Sequence, residues 1–402
     1  ISQDYQGANG EQVDQFKFSN NQSAIQLETA QVDWEKRLPT GQLLALGVKY
    51  AHIQNESQLD FQHQSASGTL TTDPYFSNAY DYDETIAAAY GQWARSDEKW
   101  QLQAGLRAEW TQTDGLAGGE TGQKLFQRDY WNIFPGLSLG RTINEQNSIT
   151  FSYNSRIQRP TFQDLNPFVW YADSLTALQG NAELLPERSE VFDLAWQHGK
   201  WNVQLSYVHA KNTINTLVES RNQADPTIFT FIRDNLRQMN NATLTLSRGF
   251  QVGKYSSYNM FGLRSEHHQF RDEGRLTTNA TNGWYLYTSH NFLLPASFKL
   301  ETSFTYNSRR VDGAYIDNPV YFWHAGISRK FLQDQLLVRL YANDMLDSYR
   351  FIGISNVLGN DWTYLSEGDW QFIQLSLHWE IGKMNTNALQ ERKIGQAELQ
   401  RM

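Results

Sequence analysis

The sequence predicts an all-β protein, an antiparallel β-barrel that crosses a membrane with its strands. Three observations predict it. The chain of 402 residues carries repeated rows in which apolar and polar side chains alternate one for one, the period of a strand with two unlike faces. The rows run to about ten residues, where soluble strands average about five or six. The connections sort into short polar turns alternating with long loops, the layout of a barrel with turns on one side of a bilayer and loops on the other.

A first strand is expected near residues 12–18. Leu44, Leu46, Val48 and Tyr50 form the next apolar row. Between Trp100 and Thr111 the even positions read Trp100, Leu102, Ala104, Leu106, Ala108 and Trp110, while the odd ones read Gln101, Gln103, Gly105, Arg107, Glu109 and Thr111. At about 3.3 Å per residue and a tilt near 40°, Trp100 and Trp110 stand about 25 Å apart in height, the spacing of two aromatic girdles. Trp201, Val203, Leu205 and Tyr207 form another row. Phe298, Leu300, Phe304 and Tyr306 oppose Lys299, Glu301, Ser303, Thr305 and Asn307. The last strand, about 370–381, sets Ile373, Leu375, Leu377, Trp379 and Ile381 against Gln374, Ser376, His378 and Glu380. Leu102, Leu106, Val203, Leu205, Leu300 and Leu375 should face lipid, and Gln103, Arg107, Gln204, Glu301 and Gln374 the lumen.

Short turns are predicted near 35–41, 94–99, 142–147, 198–200, 251–255, 293–297 and 332–335. Long connections are predicted near 55–82, 114–129, 156–190, 215–241, 265–282, 312–320 and 344–369. The turns should be periplasmic and the long loops extracellular. Seven hairpins with the first and last strands give about 16 strands. Residues 1–383 are expected to form the barrel and 384–402 a periplasmic tail.

Composition narrows the class further. The formal net charge of −9 argues against nucleic acid as a partner, which needs a basic face. Zero cysteines exclude a disulfide scaffold and a cysteine zinc site. No apolar run reaches the length of a transmembrane helix. The mean hydropathy of −0.60 fits a barrel, in which only every second strand residue meets lipid and closure satisfies the backbone.

Three prolines fall in the single stretch 155–197: Pro160, Pro167 and Pro186. Proline lacks the N–H that a ladder needs, so each ends a strand, and Asn166-Pro167 and Gly180-Asn181 are turn signals. The chain should leave the sheet here, turn several times and re-enter.

This stretch resembles the "R-P-(polar)-x-(D/E)-L-N-P … G-N-x-x-L-x-P-E" signature of TonB-dependent receptor barrels of the outer membrane β-barrel family. The matching residues are Arg159, Pro160, Asp164, Leu165, Asn166, Pro167, Gly180, Asn181, Leu184, Pro186 and Glu187. Upstream, "FPGLSLGRTINEQNSITFSYNSR" resembles the family's F-P-S-L-S hairpin. Downstream, "LYANDMLD" resembles its N-D-x-F-D strand end, with Met345-Leu346 where an aromatic is usual. "SLHWEIGK" resembles its closing S-L-x-Y-x-F-G-K, with Trp379 and Ile381 in place of two aromatics. The resemblance covers roughly residues 25–383. It implies the outer membrane of a Gram-negative bacterium and lipid as surroundings. It also implies a complete barrel of about 22 strands with a plugged lumen, and coupling to the TonB protein through the plug. No plug-like α/β segment precedes Ile25, so the expectation is the C-terminal part of a longer receptor or a relative without a plug.

Candidate chemistry is sparse. His267 and His268 are adjacent and on a strand would point to opposite faces, so no metal site is assigned. Residues 115–122 have the glycines of a phosphate loop but no following lysine. Asp81, Asp83 and Glu84 lack the spacing of a calcium loop. Ser206 and His209 are three apart, on opposite faces of a strand. No enzyme and no cofactor is expected. Ligand contacts, if from this stretch, would come from Arg156, Arg159, Trp170, Tyr171 and Asp173, since aromatic and arginine side chains are effective anchors. Pro160, Asn166, Pro167, Gly180, Asn181, Pro186 and Glu187 read as structural, and Arg159 could instead fix the loop through carbonyls or carboxylates. The preferred function is TonB-dependent uptake of a scarce small solute, peptide or glycan. A passive porin is the alternative, ahead of an outer-membrane enzyme or an adhesion barrel.

Overall fold

The computed structural model describes residues 2–6, 12–64, 68–72, 77–118, 123–172, 176–219, 229–272, 274–357, 360–381, 398 and 401. Nearly all of it is strand. In chain order these are β1 (Ser2–Gln6), β2 (Gln12–Arg37), β3 (Gln42–Gln64), β4 (Leu70–Thr72), β5 (Asn78–Ser96), β6 (Trp100–Ala117), β7 (Gln123–Asn144) and β8 (Asn147–Gln158). After a single helical turn, α1 (Phe162–Leu165), come β9 (Val169–Tyr171), β10 (Thr176–Gln179), β11 (Glu187–His198), β12 (Trp201–Glu219), β13 (Phe229–Val252), β14 (Tyr255–Asp272) and β15 (Arg275–Leu293). Last come β16 (Lys299–Asn307), β17 (Arg310–Asp312), β18 (Tyr315–Asp317), β19 (Val320–Phe331), β20 (Leu336–Asn343), β21 (Arg350–Val357), β22 (Asn360–Glu367) and β23 (Phe372–Trp379).

Fifteen of these build one antiparallel wall, each paired with the next: β2, β3, β5, β6, β7, β8, β11, β12, β13, β14, β15, β16, β19, β20 and β23. Among the described residues no pairing joins β23 to the β1–β2 end, so the wall is an open arc. β17, β18, β21 and β22 form a separate four-stranded sheet.

All seven predicted short turns are present, at the β2–β3, β5–β6, β7–β8, β11–β12, β13–β14, β15–β16 and β19–β20 junctions. Gly199 and Gly253 sit in two of them with φ of 55° and 56°. Positive φ is what tight hairpin turns require, and glycine adopts it without a steric penalty.

Two expectations need correction. Residues 12–18 are not a strand of their own but the first part of β2, which gives fifteen wall strands. Several long connections are mostly strand, since β3 continues to Gln64, β14 to Asp272, and β15 begins at Arg275. Wall strands of up to 26 residues exceed the roughly ten that cross a bilayer, so the ladders continue beyond it.

The two faces are as the alternation predicts. Leu106, Leu205, Leu340 and Leu375 lie exposed on the outer face, with Leu102, Val203 and Leu300 in register with outward partners. Gln103, Arg107, Gln204, Glu301 and Gln374 alternate with them and take the inner face. Exposed tryptophans mark two outer bands. Trp100, Trp196 and Trp379 lie near the short turns, and Trp131, Trp284 and Trp323 lie further along their strands.

Candidate functional site

The candidate site forms where residues 159–187 fold back onto the inner face of the wall. Thr161 opens α1 with a reciprocal capping box: its hydroxyl accepts from the Asp164 N–H at 3.1 Å, and the Asp164 carboxylate accepts from the Thr161 N–H at 3.2 Å. Such a box satisfies two otherwise orphaned donors, which explains a polar residue and an acid at these two signature positions. Phe162 and Leu165 then point into a buried cluster with Ile53, Tyr80, Tyr82 and Leu184, flanked by Leu27, Phe126, Phe168 and Ile214. Burying a side chain such as Phe or Leu contributes about 1.5–3 kcal/mol, so this loop is held as a small core of its own.

The remaining signature residues close the fold. Asn166 caps α1, and its side chain accepts from the Phe168 N–H at 3.1 Å. The Pro167 carbonyl accepts from Gln179 at 3.4 Å. Asn181 donates its backbone N–H to the Asp164 carbonyl at 2.6 Å, accepts from Glu183 at 2.9 Å and donates its side-chain amide to the Arg233 carbonyl at 3.1 Å. Pro186 and the buried Pro160 line the packed interior beside Tyr82, and Glu187 starts β11 opposite Gln158. Gly180 is required by space: a Cβ there would lie 2.1 Å from the Asn166 carbonyl and 2.7 Å from that of Gln163. Gly180→Ala should therefore unseat α1, at a cost on the overpacking scale of about 1–3 kcal/mol. Limited proteolysis should show faster cleavage within 159–187 while the wall strands stay protected.

An ion cluster lies beneath α1. Arg159 donates to Glu109 at 2.7 Å and to the Thr111 hydroxyl at 2.9 Å, and its Nε lies 3.6 Å from a Glu84 oxygen. Glu109 also accepts from Arg107. Glu84 is 1% exposed and accepts from Arg401. Burial opposes the charge on Arg159, but Glu84 and Glu109 outweigh it and hold the guanidinium above its usual value. Arg159 thus ties the loop to the wall through carboxylates. Arg128 adds a second tie, donating to the Leu184 and Ala182 carbonyls at 2.6 and 2.9 Å. Asn235 adds a third, exchanging hydrogen bonds with the Leu185 backbone at 2.7 and 3.0 Å. Neither was identified from sequence, because nothing in the sequence sets them apart from other polar wall residues.

At the long-connection end the same segment borders a cavity of about 290 Å³. Phe168, Trp170, Leu178 and Phe231 supply its apolar lining, and Gln163, Gln179, Asn21 and the Asp164–Arg233 ion pair (3.3 Å) supply polar groups. This mixture suits a small organic ligand. Of the five residues considered for ligand contact, Trp170 lines this cavity and is 46% exposed. Arg156 lies exposed on β8, opposite Ser189. Tyr171 pairs with Ala177 through its backbone. Asp173 lies outside the described residues. His267 and His268 take opposite faces of β14, as do Ser206 and His209 on β12.

The profile of the outer membrane protein beta-barrel family matches residues 1–379. Among curated proteins, no sequence matches. The fold is similar to several solved structures. The ferric yersiniabactin uptake receptor FyuA from Yersinia pestis shares 10% identity and a TM-score of 0.57, over 90% of this chain and 54% of that one. The siderophore receptor PiuA from Acinetobacter baumannii shares 12% identity and a TM-score of 0.56, over 92% and 57%. The FrpB iron transporter from Neisseria meningitidis shares 14% identity and a TM-score of 0.58, over 89% and 55%. The chain spans about half the length of these proteins.

Proposed function

We propose, because this chain belongs to the outer membrane protein beta-barrel family of the Gram-negative outer membrane, that it is the barrel wall of a receptor that takes up a scarce solute with energy delivered by TonB. The observation that carries the reading is the 159–187 segment. It is packed onto the inner wall and walls a cavity of about 290 Å³ at the long-connection end, where a solute arriving from outside would meet it. A passive pore needs only a polar lining; a folded segment that borders a mixed aromatic and polar cavity suits capture. The solved structures it resembles are named as receptors and transporters of iron or siderophores, which supports uptake without fixing the solute.

On this reading residues 1–383 form the wall, 384–402 begin on the periplasmic side, and Trp170 is a contact for the solute. Coupling to TonB would run through a plug. The test uses cells lacking their own receptor, given either these 402 residues or the full gene product, and a panel of labelled siderophores, cobalamin, peptides and glycans. Uptake that needs the full product and stops when the proton gradient is dissipated is the expected result, and Trp170→Ala should weaken capture of the transported solute. Uptake by this chain that ignores the gradient would favour the passive pore, and energised uptake by these residues alone would overturn the proposal.

A further inference from the structure

The outer face of the wall repeats one device at its short-turn end. Arg248 on β13 is the register partner of Trp201, the first residue of β12. Its guanidinium lies 4.5 Å from the centre of the Trp201 ring and 4.3 Å from that of Phe250, two residues further down its own strand. Arg329 on β19 does the same, 5.0 Å from Phe298, which precedes β16, and 4.8 Å from Phe331, again two residues down. Arg141 on β7 lies 5.0 Å from its register partner Trp100, the first residue of β6, with Ile143 in place of the second ring.

All three stacks face outward. Arg141, Arg248 and Arg329 each stand two residues beyond an exposed outer-face residue, Leu139, Leu246 and Ile327, and side chains two apart share a face. The other arginine–aromatic stacks of the wall strands, at Arg107, Arg128, Arg264 and Arg339, take the inner face. Among the described residues, outward stacks therefore occur only at the short-turn end. A ring attracts the guanidinium through its flat face and leaves the N–H edge unused. Among the described residues no carboxylate pairs with any of the three, and the Nε atoms of Arg248 and Arg329 are buried without an acceptor. Their height is that of a headgroup. Trp201 lies four residues below Leu205, about 10 Å lower at a tilt near 40°, and the apolar band of a barrel is about 25 Å tall. With Leu205 near its middle, the guanidiniums stand at its edge.

We propose that Arg141, Arg248 and Arg329 are three separate headgroup sites for anionic glycerophospholipids of the periplasmic leaflet. The guanidinium fork, held flat against its ring, takes the two unesterified oxygens of one phosphodiester. β7, β13 and β19 are four strands apart in the wall, about 19 Å at 4.8 Å per strand, too far for one headgroup to bridge. The inference rests on the barrel reading with periplasmic short turns, and not on solute uptake.

The test is native mass spectrometry of the full gene product in detergent, titrated with phosphatidylglycerol. R141Q, R248Q and R329Q should each lose one tightly held lipid, and the triple variant three. The single variants keep the test decisive if the triple one does not fold. Lys330→Gln removes a charge one residue from Arg329, on the inner face, and should keep the full number. Single arginine variants that keep the full number, or a loss at Lys330→Gln equal to theirs, would overturn the proposal. A second arm identifies the leaflet. Val252 is 74% exposed and two residues beyond Phe250 on the outer face. With p-benzoylphenylalanine in its place and irradiation of living cells, a glycerophospholipid adduct is expected. A lipopolysaccharide adduct would set the short turns in the other leaflet and sink the assignment. Solute uptake can fail in the separate panel while both arms succeed, so the two readings stand or fall apart.

Discussion

Arg159→Met is expected to destabilise the folded protein by about 3–5 kcal/mol, the range for removing one partner of a buried ion pair. The reason is what it leaves behind. Glu84 and Glu109 are 1% and 5% exposed, and Arg159 is the group that neutralises both at once. Glu109 keeps Arg107 and Glu84 keeps Arg401, so the loss should sit at the lower end of that range. Arg159→Lys should recover only part of it. A lysine is a point charge on a flexible stem, whereas the guanidinium fork reaches Glu109, Thr111 and Glu84 from one plane. The measurement is the guanidinium midpoint for loss of tryptophan fluorescence in detergent-folded protein. Arg156→Met, three positions earlier and exposed, is the control and should shift it little. Equal midpoints for the two variants would show that the cluster does not hold the loop.

The wall was legible because a bilayer imposes contrast. Where Leu205 alternates with Gln204 and Leu375 with Gln374, one face is apolar and the other polar, and the period of two follows. The contrast fades beyond the membrane, where both faces are wet. The first strand is expected to end near residue 18, yet β2 runs straight on through Asn20, Asn21, Gln22 and Ser23 and pairs with β3 from Lys17 to Arg37. The upper parts of β3, β14 and β15 read as loops for the same reason. The site was half legible. Its turn chemistry could be read, since Pro160, Asn166, Gly180 and Asn181 act through local backbone geometry. Its ion cluster could not, because Glu84 sits in an acidic run without the spacing of a metal loop and Glu109 in the polar row of its strand. Only the β5–β6 register, with Glu84 opposite Thr113 and Glu109 opposite Ala88, brings both beneath Arg159.

The register of β12 between β11 and β13 gives the sharpest test of which face meets lipid. Leu205 stands between Leu194 and Leu244 on the outer face and is 47% exposed to the surroundings. It lies a few residues above the short turn that ends at Trp201, near the middle of a span of about ten residues. Leu205→Arg should cost about 2–4 kcal/mol, the penalty for arginine at the bilayer midplane. Gln204→Arg, one residue away, should change stability by less than about 0.5 kcal/mol, as surface substitutions usually do, because its side chain enters the polar lumen beside Asp193. The measurement is the folding equilibrium into thin phosphatidylcholine vesicles as a function of guanidinium. A one-residue shift of register would exchange the two outcomes, since it turns every side chain of the strand to the other face. If Gln204→Arg proved the costly variant, the faces would be inverted and the inward ion cluster at Arg159 could not lie in a lumen. If the two variants cost the same small amount in vesicles and in detergent, neither residue meets lipid, and the strands would belong to a sheet that does not cross a membrane.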